Sequence, residues 1–414
     1  MKYIVLVGDG MADEPLEVLG GLTPLQKADT PNMDRLSSEG VVGIAATVPL
    51  GFPPGSDVAN LSILGYDPRR YYTGRAPLEA ASMGIDIGDN DVAYRCNLVC
   101  LDSHKERNET LNKTLYEDLY MQDYSAGHIS TEEARQLIEH LGTLHEQPHR
   151  FYAGISYRHL MLWTDGKVDI KCTPPHDITG KAIAEFLPQG EGAEVLLKLM
   201  KDSYEILGLH EINEKRLSSG KRPANSIWLW GQGKKPLMPS FKDIYGLKGA
   251  LISAVDLTKG LGVCAGLQII EVPGITGYID TNYEGKAEYG FAALKEADFV
   301  YIHVEAPDEA GHMGNVEAKV QAIEDFDKRV VGRMLELLRG ERFRVLIMPD
   351  HATPIKIKTH SNTPVPFILY DSTAVIKGKK CTYDESIKDR EDTVFIDDAY
   401  KLMGILLGVK QLPQ

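Results

Sequence analysis

Along the chain, mostly apolar residues fall into short runs bounded by charged or turn-forming positions. The clearest are Tyr3–Val7, Ala250–Ala254, Gln268–Val272, Phe299–Val304 and Val345–Met348. Runs this short, with turn signals behind them, suit strands buried on both faces of a parallel sheet. Between the runs, apolar residues recur at helical spacing. Thr30-Pro31 opens one helix, with Met33, Leu36 and Val41 on its apolar side. Gly55-Ser56-Asp57 opens another, carrying Val58, Leu61 and Leu64. Lys319–Leu338 reads as a single long amphipathic helix, with Val320, Ile323, Val330, Val331, Met334 and Leu337 facing the sheet. Strand and helix signals that alternate in this way predict an α/β fold with a doubly wound, mainly parallel sheet.

The pattern changes between about Tyr72 and Asn225. Tyr94–Val99 reads as a strand, and Arg150–Trp163 as an aromatic, basic strand pair. Thr131–Leu144 and Glu191–Leu207 read as helices, and Lys215–Arg222 as a basic Gly/Ser-containing linker. Asn225–Trp230 reads as the strand that returns to the main sheet. The expected organisation is a core domain of residues 1–72 and 225–414, interrupted by a smaller α+β domain at 73–224.

Composition narrows the class. A chain of 414 residues is too long for one ordinary core. Hydrophobic content of 43% and charged content of 25% describe a globular protein in water. A net charge of −14 argues against a general nucleic-acid binder. Five scattered cysteines fit a reducing compartment better than a disulfide framework. The apolar run in MKYIVLVGDG is too short for a signal-peptide core, and no window is apolar enough to span a membrane. The expectation is a cytoplasmic protein with no membrane or nucleic-acid partner; a homo-oligomer stays open.

Residues that can do chemistry gather where the strands end. Pro349 stops the Val345–Met348 run, so Asp350 and His351 lie at its C-terminal end, and His360 follows nine residues later. Open α/β sheets bind ligands at that edge. Asp9, in Gly8-Asp9-Gly10, ends the first strand in the same way. Asp308 and His312 follow Phe299–Val304; four apart, they would share one face of a helix, although Gly311 argues against a regular one. Ser56 sits at or near a helix N-cap, where free N–H groups and the positive dipole end suit a phosphoryl group. Each residue also has an ordinary reading: turn or capping acids, a capping serine, surface histidines. Taken together, three carboxylates, three imidazoles and one hydroxyl suit two divalent ions of the Mn2+ or Zn2+ type. Such a pair clamps the attacking and leaving oxygens of a phosphoryl displacement, with a serine as nucleophile.

Long motifs carry a resemblance. GDGMAD (Gly8–Asp13), TPNMDRL (Thr30–Leu36), GSDVANLSILGYDP (Gly55–Pro68), VPGITGYIDTNYEGKAE (Val272–Glu288), HVEAPDEAGH (His303–His312) and PDHATP (Pro349–Pro354) resemble the archaeal-type cofactor-independent (2,3-bisphosphoglycerate-independent) phosphoglycerate mutases of the alkaline phosphatase superfamily. The likeness spans nearly the whole chain. It implies an alkaline phosphatase-like core domain that binds metal and an insert that binds substrate. One divalent ion would be held by Asp9, Ser56, Asp350 and His351, the other by Asp308, His312 and His360. Mn2+ comes first, with Zn2+, Co2+ or Mg2+ as alternatives. Ser56 would take the phosphoryl group from 3-phosphoglycerate and return it to the 2-hydroxyl in a pocket that excludes water. Substrate cations are expected in the insert: Arg150, Arg158, His128 in Gly127-His128-Ile129-Ser130, and Lys234 with Lys235. Packing, surface and capping roles compete for each. His104, His140 and His210 read as exposed. Two other functions stay open: a phosphomonoesterase or a phosphotransferase acting on another small hydroxy compound such as homoserine, and a ligand-binding member without activity. The complete ligand set argues against the last.

Overall fold

The buried runs become strands because each carries β-branched or aromatic side chains that can be covered on both sides. The computed structural model describes residues 1–102, 116–144, 147–376 and 380–411. Its strands, in chain order, are β1 (Lys2–Gly8), β2 (Val41–Ala45), β3 (Val92–Asp102), β4 (Tyr120–Asp123), β5 (His149–Tyr152), β6 (Arg158–Trp163), β7 (Ser226–Gly233), β8 (Gly249–Ile252), β9 (Gln268–Ile269), β10 (Phe299–Val304), β11 (Phe343–Met348), β12 (Val365–Asp371) and β13 (Val394–Ile396). The chain divides into two compact units, Met1–Tyr72 with Leu237–Gln414, and Thr73–Pro236.

The larger unit holds an eight-stranded sheet in the order β13-β2-β12-β11-β1-β10-β8-β9. β1 lies between β10 and β11 and is parallel to both. β12 alone runs antiparallel to its two neighbours. One face packs Ile4, Leu6, Val300, Ile302, Val345 and Ile347 against the helices Pro31–Glu39 and Tyr283–Ala293 and the Val316–Leu337 rod. The opposite face, with Val5, Leu251, Tyr301 and Leu346 also buried, takes the helices Ser56–Ile63, Asp256–Cys264 and Tyr400–Leu406. The sheet is therefore doubly wound and mainly parallel. The C-terminal ends of β1, β10 and β11 lie side by side, which brings the loops after Gly8, Val304 and Met348 to one edge.

The smaller unit is an antiparallel sheet, β4-β3-β6-β5 with β7 on β3, covered by the helices Thr131–Leu144 and Ala193–Leu207. Two expectations change here. Asn225–Trp230 does not return to the main sheet: as β7 it pairs with β3, from Ser226 opposite Val99 to Gly233 opposite Ala93. Asn225 fixes that register, its amide bonding both N and O of Leu101 at 2.8 and 2.7 Å. Lys215–Arg222 is not a plain linker. Glu211–Ser218 is helical, and Arg216 is buried, donating to Glu133, Ala126 O and Arg222 O.

Lys319–Leu338 also departs from one helix. Val316–Asp325 is α-helical, Phe326–Gly332 is a π-helical turn, and Arg333–Leu337 resumes the α form. The wider turn carries buried Asp327, which accepts hydrogen bonds from Asn32 N, Asn32 Nδ2 and Met33 N at 3.2, 2.9 and 2.7 Å. A carboxylate thus caps the Pro31–Glu39 helix from outside, where N–H groups lack intrahelical partners.

The loops at the sheet edge are held by a buried ammonium. Lys319 Nζ donates to Asp13 Oδ2 at 2.7 Å and to the carbonyls of Thr353 and Ala12 at 2.8 and 3.3 Å. Both members of the ion pair have fully buried side chains. Two glycines let the backbones come this close. A Cβ on Gly10, which has φ +61°, would stand 2.6 Å from Asp308 Oδ1 and 2.7 Å from its Cα. A Cβ on Gly311 would stand 2.7 Å from Thr353 O, so glycine inside the Ala306–Met313 helix marks close packing and does not break the helix. Removing one partner of a buried pair leaves an uncompensated charge, typically costing about 3–5 kcal/mol. Lys319→Met should lower the urea-unfolding free energy by about that amount; an unchanged midpoint would show that the pair does not hold the edge.

Candidate active site

Asp9 follows β1, Asp308 lies in the first turn of the Ala306–Met313 helix after β10, and Asp350 with His351 follows β11. Three carboxylates thereby converge in a place closed to water: Asp9, Asp308 and Asp350 are 1%, 5% and 0% exposed. The helix puts Asp308 and His312 on one face, with Oδ2 and Nε2 3.3 Å apart. His360 completes that group, its Nε2 lying 2.9 Å from His312 Nε2 and 3.6 Å from Asp308 Oδ1. On the other side, Asp9 Oδ1 lies 3.5 Å from His351 Nε2, and Ser56 Oγ lies 3.0 Å from the same nitrogen. Ser56 is the first residue of the Ser56–Ile63 helix; Gly55 occupies the cap position.

Donor atoms of Asp308, His312 and His360 lie within 4.8 Å of one another, as do those of Asp9, Asp308 and His351. The seven residues expected from the sequence are therefore brought together. A fourth imidazole was not foreseen. His303, inside β10, forms a third such group with Asp9 and Asp350. Its Nε2 lies 3.1 Å from Asp9 Oδ2, and its Nδ1 lies 3.3 Å from Ser253 Oγ. In the sequence His303 opens the HVEAPDEAGH motif, but it lies inside a buried strand and is not among the site residues expected above. Thr353 was missed too. Its hydroxyl donates to Asp308 Oδ1 and lies 3.2 Å from His351 Nδ1. An Nδ1–H donated to that oxygen would leave the His351 Nε2 lone pair facing Ser56 and Asp9.

The electrostatics fit a cation. Burial first, and then repulsion by Asp350 and Asp308, hold the Asp9 carboxyl well above its usual range. Burial would also raise Asp308, but hydrogen bonds from His312 and His360 bring it well below. Burial alone would lower His312, but its bond to Asp308 outweighs that and lifts it to about 9. Asp9 Oδ1 and His303 Nε2 are buried and, despite the close approaches given above, neither makes a hydrogen bond of acceptable geometry among the described residues. Crowded carboxylates, convergent imidazoles and orphaned polar atoms are the donor set that divalent ions satisfy.

The expected substrate cations fall in different places on the smaller unit. His128 and Arg158 share the Tyr157 ring, which lies 6.0 Å from the His128 ring and 5.7 Å from the Arg158 guanidinium carbon. Arg150 stands four residues along the strand pair, opposite Leu162, roughly 13 Å from the Arg158 end, and lies 3.7 Å from Asp91. Lys235 pairs with Asp86 at 3.0 Å, and Lys234 follows β7 where it meets Ala93, away from the Arg158 end. Arg95, not foreseen, lies over Trp230 at 4.3 Å and 3.1 Å from Glu79. His140 is exposed, His210 is half-buried and caps the Glu211–Ser218 helix, and His104 lies outside the described residues.

A model of the 2,3-bisphosphoglycerate-independent phosphoglycerate mutases matches residues 37–213. The protein of that name from Methanosarcina acetivorans is 51% identical over 414 residues, covering 99% of this chain and 100% of its own. The chain belongs to the 2,3-bisphosphoglycerate-independent phosphoglycerate mutase family. Its enzyme class is that of an isomerase, an intramolecular phosphotransferase. Full-length identity at this level favours the mutase over the phosphomonoesterase and homoserine readings. Among solved structures, a protein from Pyrococcus horikoshii is similar with a TM-score of 0.80 at 28% identity, covering 100% of this chain and 99% of that one. The cofactor-independent phosphoglycerate mutase from Thermoplasma acidophilum gives 0.63 at 26%, covering 99% and 100%. The mutase name implies a small phosphorylated substrate. Among the described residues, no helix is long and apolar enough to cross a membrane.

A raised His312 has a direct consequence. Without an ion, its pairing with Asp308 stabilises the fold fully below pH 6.5, and that contribution is lost as pH rises through about 9. An ion taken by His312 would have to displace its proton. Mn2+ titrations at pH 7 should give buffer-dependent enthalpies, with affinity rising with pH and levelling above about 9. A pH-independent affinity would mean that these imidazoles do not hold the ion.

Proposed function

We propose that this mutase interconverts 3- and 2-phosphoglycerate through a phosphoserine at Ser56. The observation that carries the reading is the position of Ser56: at a helix N-terminus, 3.0 Å from His351, beside three buried carboxylates. Asp9, Ser56, Asp350 and His351 would hold one divalent ion, and Asp308, His312 and His360 the other. Bound there, the ions would acidify the serine hydroxyl and neutralise phosphoryl charge. Mixed oxygen and nitrogen donors suit Mn2+ first, then Zn2+, Co2+ or Mg2+.

The reaction balances without a co-substrate. The Ser56 Oγ–P bond forms as the C3 O–P bond breaks; then the 2-oxygen–P bond forms as the Oγ–P bond breaks. The 2-hydroxyl proton ends on the 3-oxygen. Free N–H groups of the Ser56–Ile63 helix favour the phosphoryl group at Oγ throughout. Glycerate must stay bound between the two transfers, and the smaller unit is the part we assign to hold it. A cavity of about 550 Å³ there is lined by Tyr124, Ser125, His128, Thr179, Lys221 and Arg222, among others. Ala126, Gly127 and His128 all take left-handed φ, at 50°, 68° and 49°. Non-glycine residues in that region cost energy, and such strain clusters at functional sites. The loop is held by Asp123, which accepts from Ser125 N, Gly127 N and Arg222 at 2.8, 2.9 and 2.6 Å. His128 and Arg158 are the leading carboxylate-binding pair, with Arg95 behind them; Arg150, Lys234 and Lys235 rank lower. A place in the cytoplasm, in glycolysis and gluconeogenesis, suits this substrate, and the five cysteines are free.

Phosphorus NMR of the Mn2+-loaded protein with 3-phosphoglycerate, and no bisphosphoglycerate, should show 2-phosphoglycerate growing to equilibrium with little free phosphate. Ser56→Ala should abolish the exchange; an active variant would overturn the serine mechanism. Free phosphate as the main product would mean that water reaches phosphorylated Ser56. Arg158→Gln and His128→Asn should raise KM by about tenfold or more, as expected for lost charge-assisted contacts. An unchanged KM in both would move the carboxylate site elsewhere.

A further inference from the structure

Asn60 lies one helical turn after Ser56. Side chains in helices point back toward the N-terminus, so residue i+4 can reach the carbonyl of residue i. Here the Asn60 amide does so: Nδ2 donates to Ser56 O at 2.8 Å. The same nitrogen donates to Asp350 Oδ2 at 2.7 Å. Asn60 Oδ1 accepts from the Tyr301 hydroxyl. Both amide hydrogens and the amide oxygen are therefore engaged, and the Ser56 carbonyl, which can only accept, fixes which end of the amide is which. Asn60 and Tyr301 are both fully buried, so no water can substitute for a lost bond.

Asp350 shows why this bond has a particular use. Its Oδ1 accepts from Gly10 N at 3.2 Å and His351 N at 2.8 Å, and Asn60 is the donor on Oδ2. Backbone donors hold one oxygen, and a side chain from the serine's own helix holds the other. With the Ser56–His351 contact, this bond ties the start of that helix to the loop after β11.

We infer that Asn60 is a positioning residue that sets the Ser56 helix against Asp350, with the Tyr301 hydroxyl of β10 holding its amide oxygen. It touches neither substrate nor reacting atoms. It acts by fixing the distance between the nucleophile and a carboxylate of the proposed ion site, as outer partners of ligating groups do. The inference rests on the phosphoserine reading given above.

The test compares Asn60→Leu, Tyr301→Phe, the double variant and Ser56→Ala. Readouts are kcat and KM for 3-phosphoglycerate, the visible spectrum of the Co2+-loaded protein, and the melting temperature. Asn60→Leu should lower kcat by about 10–100-fold, the range for outer partners of ligands. Tyr301→Phe should lower kcat several-fold, KM should stay near wild type in both, and the Co2+ bands should move. The double variant should be no slower than Asn60→Leu, because Tyr301 acts through Asn60. Wild-type kcat and Co2+ bands in Tyr301→Phe would overturn the inference, whether or not Asn60→Leu folds. So would additive losses in the double variant, or losses confined to melting temperature. An inactive Ser56→Ala beside a wild-type Asn60→Leu sinks this inference alone; an active Ser56→Ala sinks the phosphoserine reading as well.

Discussion

Three carboxylates packed at the end of an apolar sheet repel one another, and without compensation the loops that carry them would separate. The Lys319–Asp13 pair prevents this. It draws no ligand into place by itself. Instead it fastens the loop after β1 to the loop after β11, through the Ala12 and Thr353 carbonyls and the Asp13 carboxylate. Asp13 in turn accepts from Ile355 N, so both loops are stitched from a single buried charge. Lys319 reaches this point from the Val316–Asp325 helix, whose Ala322 and Ile323 share a core cluster with Ile4 and Leu6 of β1. The site is therefore a product of the core and not an addition to its surface.

That arrangement explains how the chain tolerates so much like charge. The cluster divides into an imidazole-rich side, with Asp308, His312 and His360, and a carboxylate-rich side, with Asp9, Asp350 and Ser56. The first is close to neutral as it stands, since Asp308 is held ionised by its histidines. In the second, burial first and then repulsion by Asp350 and Asp308 favour the neutral form of the Asp9 carboxyl. The outer partners differ to match: Thr353 serves both sides, and the Asn60 amide serves Asp350. Neutral donors near a crowded anionic site relieve charge without competing for it.

Much of this was legible in the sequence. Short apolar runs marked β1, β8, β9, β10 and β11, and residues just beyond the ends of β1, β10 and β11 pointed to Asp9, Asp308, Asp350 and His351. These signals are local, so one sequence suffices. β2, β12 and β13 were not foreseen as strands, and Val41, expected on a helix's apolar side, opens β2. Gly311 looked like a helix breaker because the close approach of Thr353 is a tertiary contact, invisible along the chain. β7 was placed in the wrong sheet because a buried strand of either sheet has the same composition; pairing with β3 is decided by Asn225 and Trp230, which bond to Leu101 and Asn97. The π-helical turn was missed because its cause, Asp327 capping a distant helix, spans 294 to 295 positions. His303 and Asn60 were overlooked because each stands on a regular element and looks like packing; Thr353, in the loop after β11, reads as an ordinary turn residue.

The position of β1 bears on how the molecule comes to exist at the ribosome. Its first strand pairs with Phe299–Val304 on one side and Phe343–Met348 on the other. Until the chain has been made through Met348, the apolar segment of β1 has only part of its final surroundings. The smaller unit is complete by Pro236, with a core of its own. In the order of synthesis the inserted domain is the first that can be finished, and the domain that begins the chain is the last. Ser56 and Asp9 wait on residues 350, 351 and 360, so no chain that stops short of His360 can carry the assembled cluster.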